Sequence, residues 1–438
     1  MKKTALFSCL VCCITALLTA CKEYNETIET FTLNISLIFP DDAGVQKDGI
    51  RVELKSIGHE AIYVDSTDTQ GTVHFQVPSG IYEASSSSSH KQSGNNIMIL
   101  NGNSGQIIIK DQTIETATII LRASKTSQLV IKELYNGGII KDDGKSFFFD
   151  EGFILYNNSS SAVSLDDLCV GIASPYNSQA NNRWYDSEGK LIYESEGYIP
   201  AIDGIWYFPQ TLSIKPYTQI VVCAYGAIDN TRTYPQSVNY AHADYYCMYD
   251  PESGYINPNY YPTPSDVIPT SHYLNAVKIG ISNAWALSNT SPALFLFKTQ
   301  GATPREFATN VSNMVYTPGA KQDDINKSVK VPIDWILDGI EVFSAAHTTS
   351  NLKRLTPTID AGYVLLTNQH GHTLYRNVDK AATETLPENE GKLVYGYISD
   401  PSGIDAEASF KNGAHIIYMD TNNSSNDFHE RVSCSLND

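Results

Sequence analysis

Apolar and polar residues alternate with a period of two along much of the first third of the chain. Phe31-Thr32-Leu33-Asn34-Ile35-Ser36-Leu37 is the cleanest run, and Ile50 to Leu54, Val73 to Val77 and Ile107 to Ile109 continue it. Period two puts every second side chain on one face of an extended chain, so these segments predict half-buried strands. Turn residues separate them, at Asp41-Asp42, Asp48-Gly49, Gln70-Gly71 and Ser79-Gly80. Residues 31–122 therefore predict one small β-sandwich, with Ser85 to Ser89 as a low-complexity loop. A second strand-rich unit opens near Gln128 with Leu129 to Tyr135, Phe153 to Asn158 and Val163 to Leu168. Helical spacing is confined to a short stretch near Pro304 to Met314, where Phe307, Val311 and Met314 fall on one face. The pattern predicts an all-β fold of two strand-rich units, 31–122 and 128–438.

From about 171 to 275 the alternation fades and Pro, Asn and Gly become frequent, which predicts a long loop-rich insertion in the second unit. A second irregular stretch runs from Gly301 to Lys330. The 171–275 segment holds 16 of the 27 tyrosines. Such a concentration has two readings. Buried Tyr with a bonded hydroxyl builds core, whereas exposed Tyr and Trp offer rigid contact area at low entropic cost and suit sugar rings. On the second reading the ligand-binding candidates are Trp184, Tyr185, Trp206, Tyr207, Tyr245 and Tyr246.

Charge changes the picture by exclusion. The 438 residues carry 30 Lys and Arg against 48 Asp and Glu, a net charge of −18. Nucleic-acid binding needs cations opposite phosphates, so this chain is a poor nucleic-acid partner. An aromatic content of 11% argues against a disordered solvating chain.

The first residues carry an address. Lys2 and Lys3 precede an apolar stretch, Leu6 to Leu18, that is short for a membrane span of ~20 residues. Leu18-Thr19-Ala20-Cys21 resembles a bacterial lipobox, in which the peptidase cuts before the Cys and its thiol carries diacylglycerol. The resemblance implies a signal peptide over 1–20, lipidation of Cys21, and a polar tether to residue 30. Lys22, Glu23 and Glu26 resemble the surface-export signal of Bacteroidetes lipoproteins, which implies display at the cell surface; the alternative is a lipoprotein facing the periplasm. Cys169, Cys223, Cys247 and Cys434 remain beyond the signal, free or in any of three full pairings.

A search for catalytic chemistry returns little. There is no G-x-S-x-G elbow, H-E-x-x-H, G-x-x-x-x-G-K or G-x-G-x-x-G, and no cofactor is expected. A noncontiguous triad is recognised by geometry, which a sequence does not carry. Asp420, Asn422 and Ser424 stand at the spacing of the first calcium-loop ligands, but Ser425 replaces the turn glycine and Arg431 the final Glu. These residues are expected to hydrogen-bond a turn. His370 and His372 read as a hairpin tip, and His242, Asp244 and His272 flank the Tyr-rich segment.

Several stretches resemble known families. Thr67 to Tyr82, with Gly71 and Gly80-Ile81-Tyr82, resembles the prealbumin-like sandwiches found beside carboxypeptidases and in surface adhesins, modules that act as spacers. The Phe153 to Leu168 order, Asp338-Gly339-Ile340-Glu341, Arg376, and Asp420 to Phe428 resemble pieces of the lamin-tail domain, an immunoglobulin-like sandwich. Leu155 departs from that pattern, where many members have Glu. The whole is similar to uncharacterised Bacteroidetes lipoproteins, some encoded beside TonB-dependent transporters. The resemblance implies an outer-membrane address, with a transporter or a polysaccharide as partner. The reading adopted is a non-catalytic binding or accessory module; a surface hydrolase with a dispersed or metal-assisted site and a purely structural envelope protein are its rivals. Lipidation at Cys21 predicts that Cys21→Ala moves the protein from the membrane to the soluble fraction of a cell lysate. Membrane retention of that variant after a high-salt wash would contradict it.

Overall fold

The computed structural model describes residues 29–40, 43–57, 61–91, 97–110, 114–125, 127–136, 138–368 and 370–437. The signal segment, Cys21, the tether through residue 28 and the Asp41-Asp42 turn lie outside these residues. The fold is all-β, with a few short helices. Among the described residues no helix is long and apolar enough to cross a membrane.

The first unit contains β1 (Thr30–Ile38), β2 (Arg51–Ser56), β3 (Ile62–Ser66), β4 (Thr72–Pro78), β5 (Gly80–Lys91), β6 (Ile97–Ile109), β7 (Ile114–Ile120) and β8 (Arg122–Lys125). They form a three-stranded sheet, β4-β1-β7, and a five-stranded sheet, β3-β2-β5-β6-β8. β1 runs antiparallel to β4 and parallel to β7. The alternating residues Leu33, Ile35, Leu37, Val52, Leu54, Val73, Phe75 and Val77 meet in one core between the sheets. The serine run is not a loop. Ser85 to Ser88 lie inside β5, paired with Asn103 to Leu100 of β6. A serine strand carries no hydrophobic alternation, so the ladder and polar contacts hold it instead; buried Ser86 donates its hydroxyl to Arg51 O at 2.9 Å.

The second unit is built on two six-stranded sheets. In spatial order the first comprises Tyr246–Cys247, Gln219–Cys223, Gly152–Asn157, Leu129–Tyr135, Thr373–Arg376 and Phe428–Arg431. The second comprises Asn275–Lys278, Gly204–Tyr207, Leu168–Ile172, Ala293–Lys298, Ile336–Ser344 and Val364–Leu366. Ile131, Leu134, Phe153 and Leu155 of the first sheet pack against Leu168, Val170, Leu294, Leu296 and Ile340 of the second. The other face of the second sheet is covered by a three-stranded sheet, in which Tyr198–Ile202 pairs with Lys327–Pro332.

Residues 171–275 are therefore not an insertion into a sandwich that closes without them. They supply Gly204–Tyr207, which pairs with Leu168–Ile172, and Gln219–Cys223, which pairs with Gly152–Asn157. These strands have four and five residues, too few for an alternation to be counted between turns. The helix near 304 also differs from its expected extent. Pro304–Thr309 is helical behind a Thr303/Glu306 capping box, but the helix ends there and Val311 is 85% exposed.

One buried cation organises the second unit. Arg376 donates from Nε to Ile131 O at 2.7 Å, from Nη1 to Met419 O at 2.9 Å and from Nη2 to Asp338 Oδ2 at 2.5 Å. Asp338 Oδ2 also accepts from Ile131 N at 2.6 Å. Carboxylates of Asp420 and Asp427 stand 3.8 and 3.7 Å from Nη1, and the Phe428 ring lies 4.4 Å from the guanidinium carbon. Asp427 folds the turn by accepting from Thr421 N at 2.9 Å and Thr421 Oγ1 at 2.8 Å.

That turn carries the first unit. Asn101 of β6, fully buried, donates to Thr421 O at 2.7 Å and also to Asn422 O. Asn103 donates to Ala361 O, and Ser127 N in the connecting segment donates to Asp420 Oδ2 at 2.7 Å. A Cβ at position 362 would overlap Asn423 Oδ1 and come within 2.6 Å of Ser425 Oγ, so only glycine lets this loop lie against the turn.

Two outcomes follow from these contacts. Asn101→Ala removes the donor to the Thr421 carbonyl at the junction, a loss of about 1–3 kcal/mol; urea denaturation should show that loss, with earlier protease cleavage near Ser127, and an unchanged midpoint would contradict it. The second concerns pH. Burial, with the Asp338 charge behind it, pushes Asp420 up to about 7, against the pull of Arg376. A carboxyl raised on folding favours the folded state fully below its ordinary value near 3.8, and that contribution is lost as pH rises through about 7. Asp420→Asn keeps an acceptor for Ser127 N, so its stability relative to the parent should rise between about pH 4 and about pH 8. Denaturant titrations across that range giving a constant difference would contradict the assignment.

Candidate functional site

Beside the junction of the two units lies a cleft of about 340 Å³, with walls from both. β2, β3 and β5 contribute Glu53, Lys55, Ile62 and Glu83, and the facing wall contributes Tyr363 and Glu430. The period-two pattern explains the first wall. Val52, Leu54 and Tyr82 turn into the core, so Glu53, Lys55 and Glu83 stand on the outer face.

The cleft is charged and partly desolvated. Burial pushes the Glu83 carboxyl up, opposed by the Tyr363 hydroxyl bond and the charges of Lys353 and Lys55. Burial and the Glu83 charge push the Tyr363 hydroxyl up in turn. The Tyr363 ring is fixed by stacking on Phe343, with centroids 4.2 Å apart. Glu430 accepts from Thr367 N at 2.5 Å and pairs with His372 Nδ1 at 2.9 Å. Glu53 pairs with Arg51 at 2.8 Å. The Ser425 hydroxyl donates to Tyr363 O at 2.8 Å, so it is held by backbone and not by a base. Carboxylates, an ammonium and a phenol on opposed walls suit a polar, hydroxyl-bearing ligand.

The six aromatic candidates do not form one platform. Trp184 is buried, donates from Nε1 to Ser174 Oγ at 3.1 Å and meets Tyr193 edge-on. Trp206 is fully buried and stacks on Tyr255. Tyr246 is buried under His272, centroids 4.2 Å apart. These three offer no open face. Tyr185, Tyr207 and Tyr245 are half-buried. Tyr185 donates its hydroxyl to Lys353 O at 3.1 Å, and Tyr245 packs on a separate cluster beside His242. Alternation along the short strands sets these fates, because Trp206 and Tyr207 face opposite sides of one strand. Cys21 lies outside the described residues.

The remaining motif residues also have places. Asp244 N donates to His242 Nδ1 at 3.2 Å, and His272 Nδ1 lies 3.1 Å from Tyr245 O. The rings of His370 and His372 are 5.8 Å apart. Among the described residues no group of three His, Cys, Asp or Glu side chains is arranged to hold a metal. Cys169, Cys223, Cys247 and Cys434 are buried free thiols. Sequence reasoning did not single out Asn101, Glu83, Tyr363 or Glu430. One signal was available for Asn101: with Asn103 it stands on alternate positions directly after the apolar run Ile97 to Leu100.

A family model described as a protein of unknown function, DUF4876, matches residues 215–435, just over half of the chain. The crystal structure of a DUF4876 family protein from Bacteroides thetaiotaomicron VPI-5482 superposes with a TM-score of 0.52 at 19% identity, over 91% of this chain and 94% of that one. The Corynebacterium diphtheriae major pilin SpaA gives a TM-score of only 0.16 at 9% identity, over 69% and 68% of the two chains, and has no bearing on the fold. No curated protein sequence matches the chain. The likeness to the Bacteroides structure concerns the fold, and the match over residues 215–435 makes this chain a member of the DUF4876 family.

Proposed function

We propose that this chain is a lipid-anchored protein of the bacterial outer membrane, held at the cell surface through Cys21, and that it binds its ligand without catalysis in the cleft between its two units. The cleft carries this reading, because its walls come from two separately built sandwiches and ligand sites fall preferentially at such interfaces. The ligand class that suits the lining is a polysaccharide, whose hydroxyls donate to Glu53, Glu83 and Glu430 and accept from Lys55. A TonB-dependent uptake system is the setting in which such a protein would present its ligand. The first unit is read as a prealbumin-like spacer and the second as a lamin-tail-like sandwich. The second assignment draws support from Asp338, Arg376 and Asp427, motif residues far apart in sequence that meet in one buried cluster.

The test uses the soluble chain beginning after Cys21, on a glycan array and in a pull-down from envelope extract. Lys55 and Ile62 are exposed, and Ile62 retains 54% of its surface. Their joint replacement by Ala should weaken glycan binding at least about tenfold while stability changes by less than about 1 kcal/mol. Glycan binding that survives the double substitution, or an array without a bound glycan, overturns the cleft as the site.

A further inference from the structure

The inner face of the first six-stranded sheet ends in two polar side chains. Phe153 and Leu155 point into the core of the second unit, and the same alternation brings Glu151 to that side. On the neighbouring strand Leu134 is followed in the same way by Asn136. The pair Gly152↔Tyr135 closes the ladder, so Glu151 and Asn136 stand next to each other just beyond it. Both residues have 0% of their surface exposed. Neither carboxylate oxygen of Glu151 has a hydrogen-bond partner, and neither does Oδ1 of Asn136. Asn136 is nonetheless fixed, because its amide nitrogen donates to Ser288 O at 2.8 Å.

The surroundings do not supply the missing donors. Tyr176 and Tyr225 lie within electrostatic reach of Glu151, but Tyr225 donates to Trp285 O at 3.0 Å and Tyr176 to Leu287 O at 3.4 Å. Adjacent Asp150 adds negative charge; its Oδ2 accepts from Tyr135 and Ser237, and its Oδ1 is also unpartnered. Burial, with the Asp150 charge behind it, pushes the Glu151 carboxyl well above its ordinary value. A buried ionised carboxylate without a partner is strongly unfavourable, and buried acceptors are nearly always satisfied by protein, water or an ion.

We propose that Glu151 and Asn136 form a binding site for a hard cation, of which Ca²⁺ is the best match. The donors are all oxygen: one carboxylate able to bind through both atoms and one amide carbonyl, the ligand types calcium takes. Soft metals prefer sulfur or imidazole, and the grouping lacks the three His, Cys, Asp or Glu side chains of a transition-metal site. A full calcium shell would need further oxygens, from backbone carbonyls or water. The cation would lock the end of the sandwich core, joining the strands Leu129–Tyr135 and Gly152–Asn157 where their ladder stops. The competing arrangement is a neutral Glu151 sharing its proton with Asn136.

The experiment is terbium luminescence on the full-length protein after chelator treatment, exciting tyrosine. The wild-type protein should give sensitised Tb³⁺ emission that Ca²⁺ displaces, and Ca²⁺ should raise its melting temperature. Both effects should vanish in Glu151→Gln, and Asn136→Ala should weaken Tb³⁺ binding at least about tenfold. Wild-type protein without Ca²⁺-displaceable emission overturns the proposal, whatever the variants do. So does emission that persists undiminished in Asn136→Ala, or a folded Glu151→Gln that matches the wild type. Should Glu151→Gln fail to fold, the wild-type and Asn136→Ala measurements decide alone.

Discussion

A guanidinium with no access to solvent sets the arrangement of this molecule. Arg376 reaches the backbone of one strand at Ile131, the carboxylate of Asp338 in the opposite sheet, and the Met419 carbonyl that opens the 420–427 turn. Three carboxylates surround the single positive charge, and burial, with the Asp338 charge behind it, pushes Asp420 up against the pull of Arg376. Removing one partner from a buried pair of this kind typically costs about 3–5 kcal/mol, because the other is left charged and dry. The dependence then runs outward. The turn that Arg376 holds receives Asn101 of β6, and that docking sets the distance between the walls of the cleft. A second buried pair, Arg354 with Glu341 at 2.7 Å, anchors near its middle the strand that carries Asp338.

The parts of this architecture that were legible in the sequence are those where one physical rule acts locally. Long strands with one wet face, such as β1 and β4, announce themselves by alternation. Asp338, Arg376 and Asp420 to Phe428 could be picked out as belonging together, though not as the buried cluster they form. The short strands Tyr198–Ile202, Gly204–Tyr207 and Tyr246–Cys247 carry no readable alternation, because burial on both faces and early turns erase the period. The serine run failed for the opposite reason. Its neighbours in β6, not its own composition, make it a strand. The cleft was out of reach as well, since its walls are some 300 residues apart in the chain.

The tyrosines of 171–275 show how composition misleads when burial is unknown. Tyr193, Tyr225 and Tyr240 are buried, and each hydroxyl donates to a backbone carbonyl, Arg354 O, Trp285 O and Asp150 O respectively. A tyrosine used in this way is a long hydrophobe that also satisfies a stray acceptor at its tip. That is a useful device where short strands and many turns leave carbonyls outside any ladder. The same logic makes Glu151 and Asn136 conspicuous, because they stand among such rings and receive nothing from them.

The parallel pairing of β1 with β7 has a mechanical consequence. Because the two strands run the same way, the chain enters at Thr30 on one pole of the first unit and leaves β7 at Ile120 on the other, about 30 Å away for nine residues of strand. A pull applied between the start of the chain and the second unit therefore loads β1 and β7 along their length. All the bonds of that ladder, from Thr32 opposite Ile114 to Ile38 opposite Ile120, share the force at once instead of opening one after another. Between Thr30 and Ile120 the first unit is strung as a tension member, resisting extension in shear.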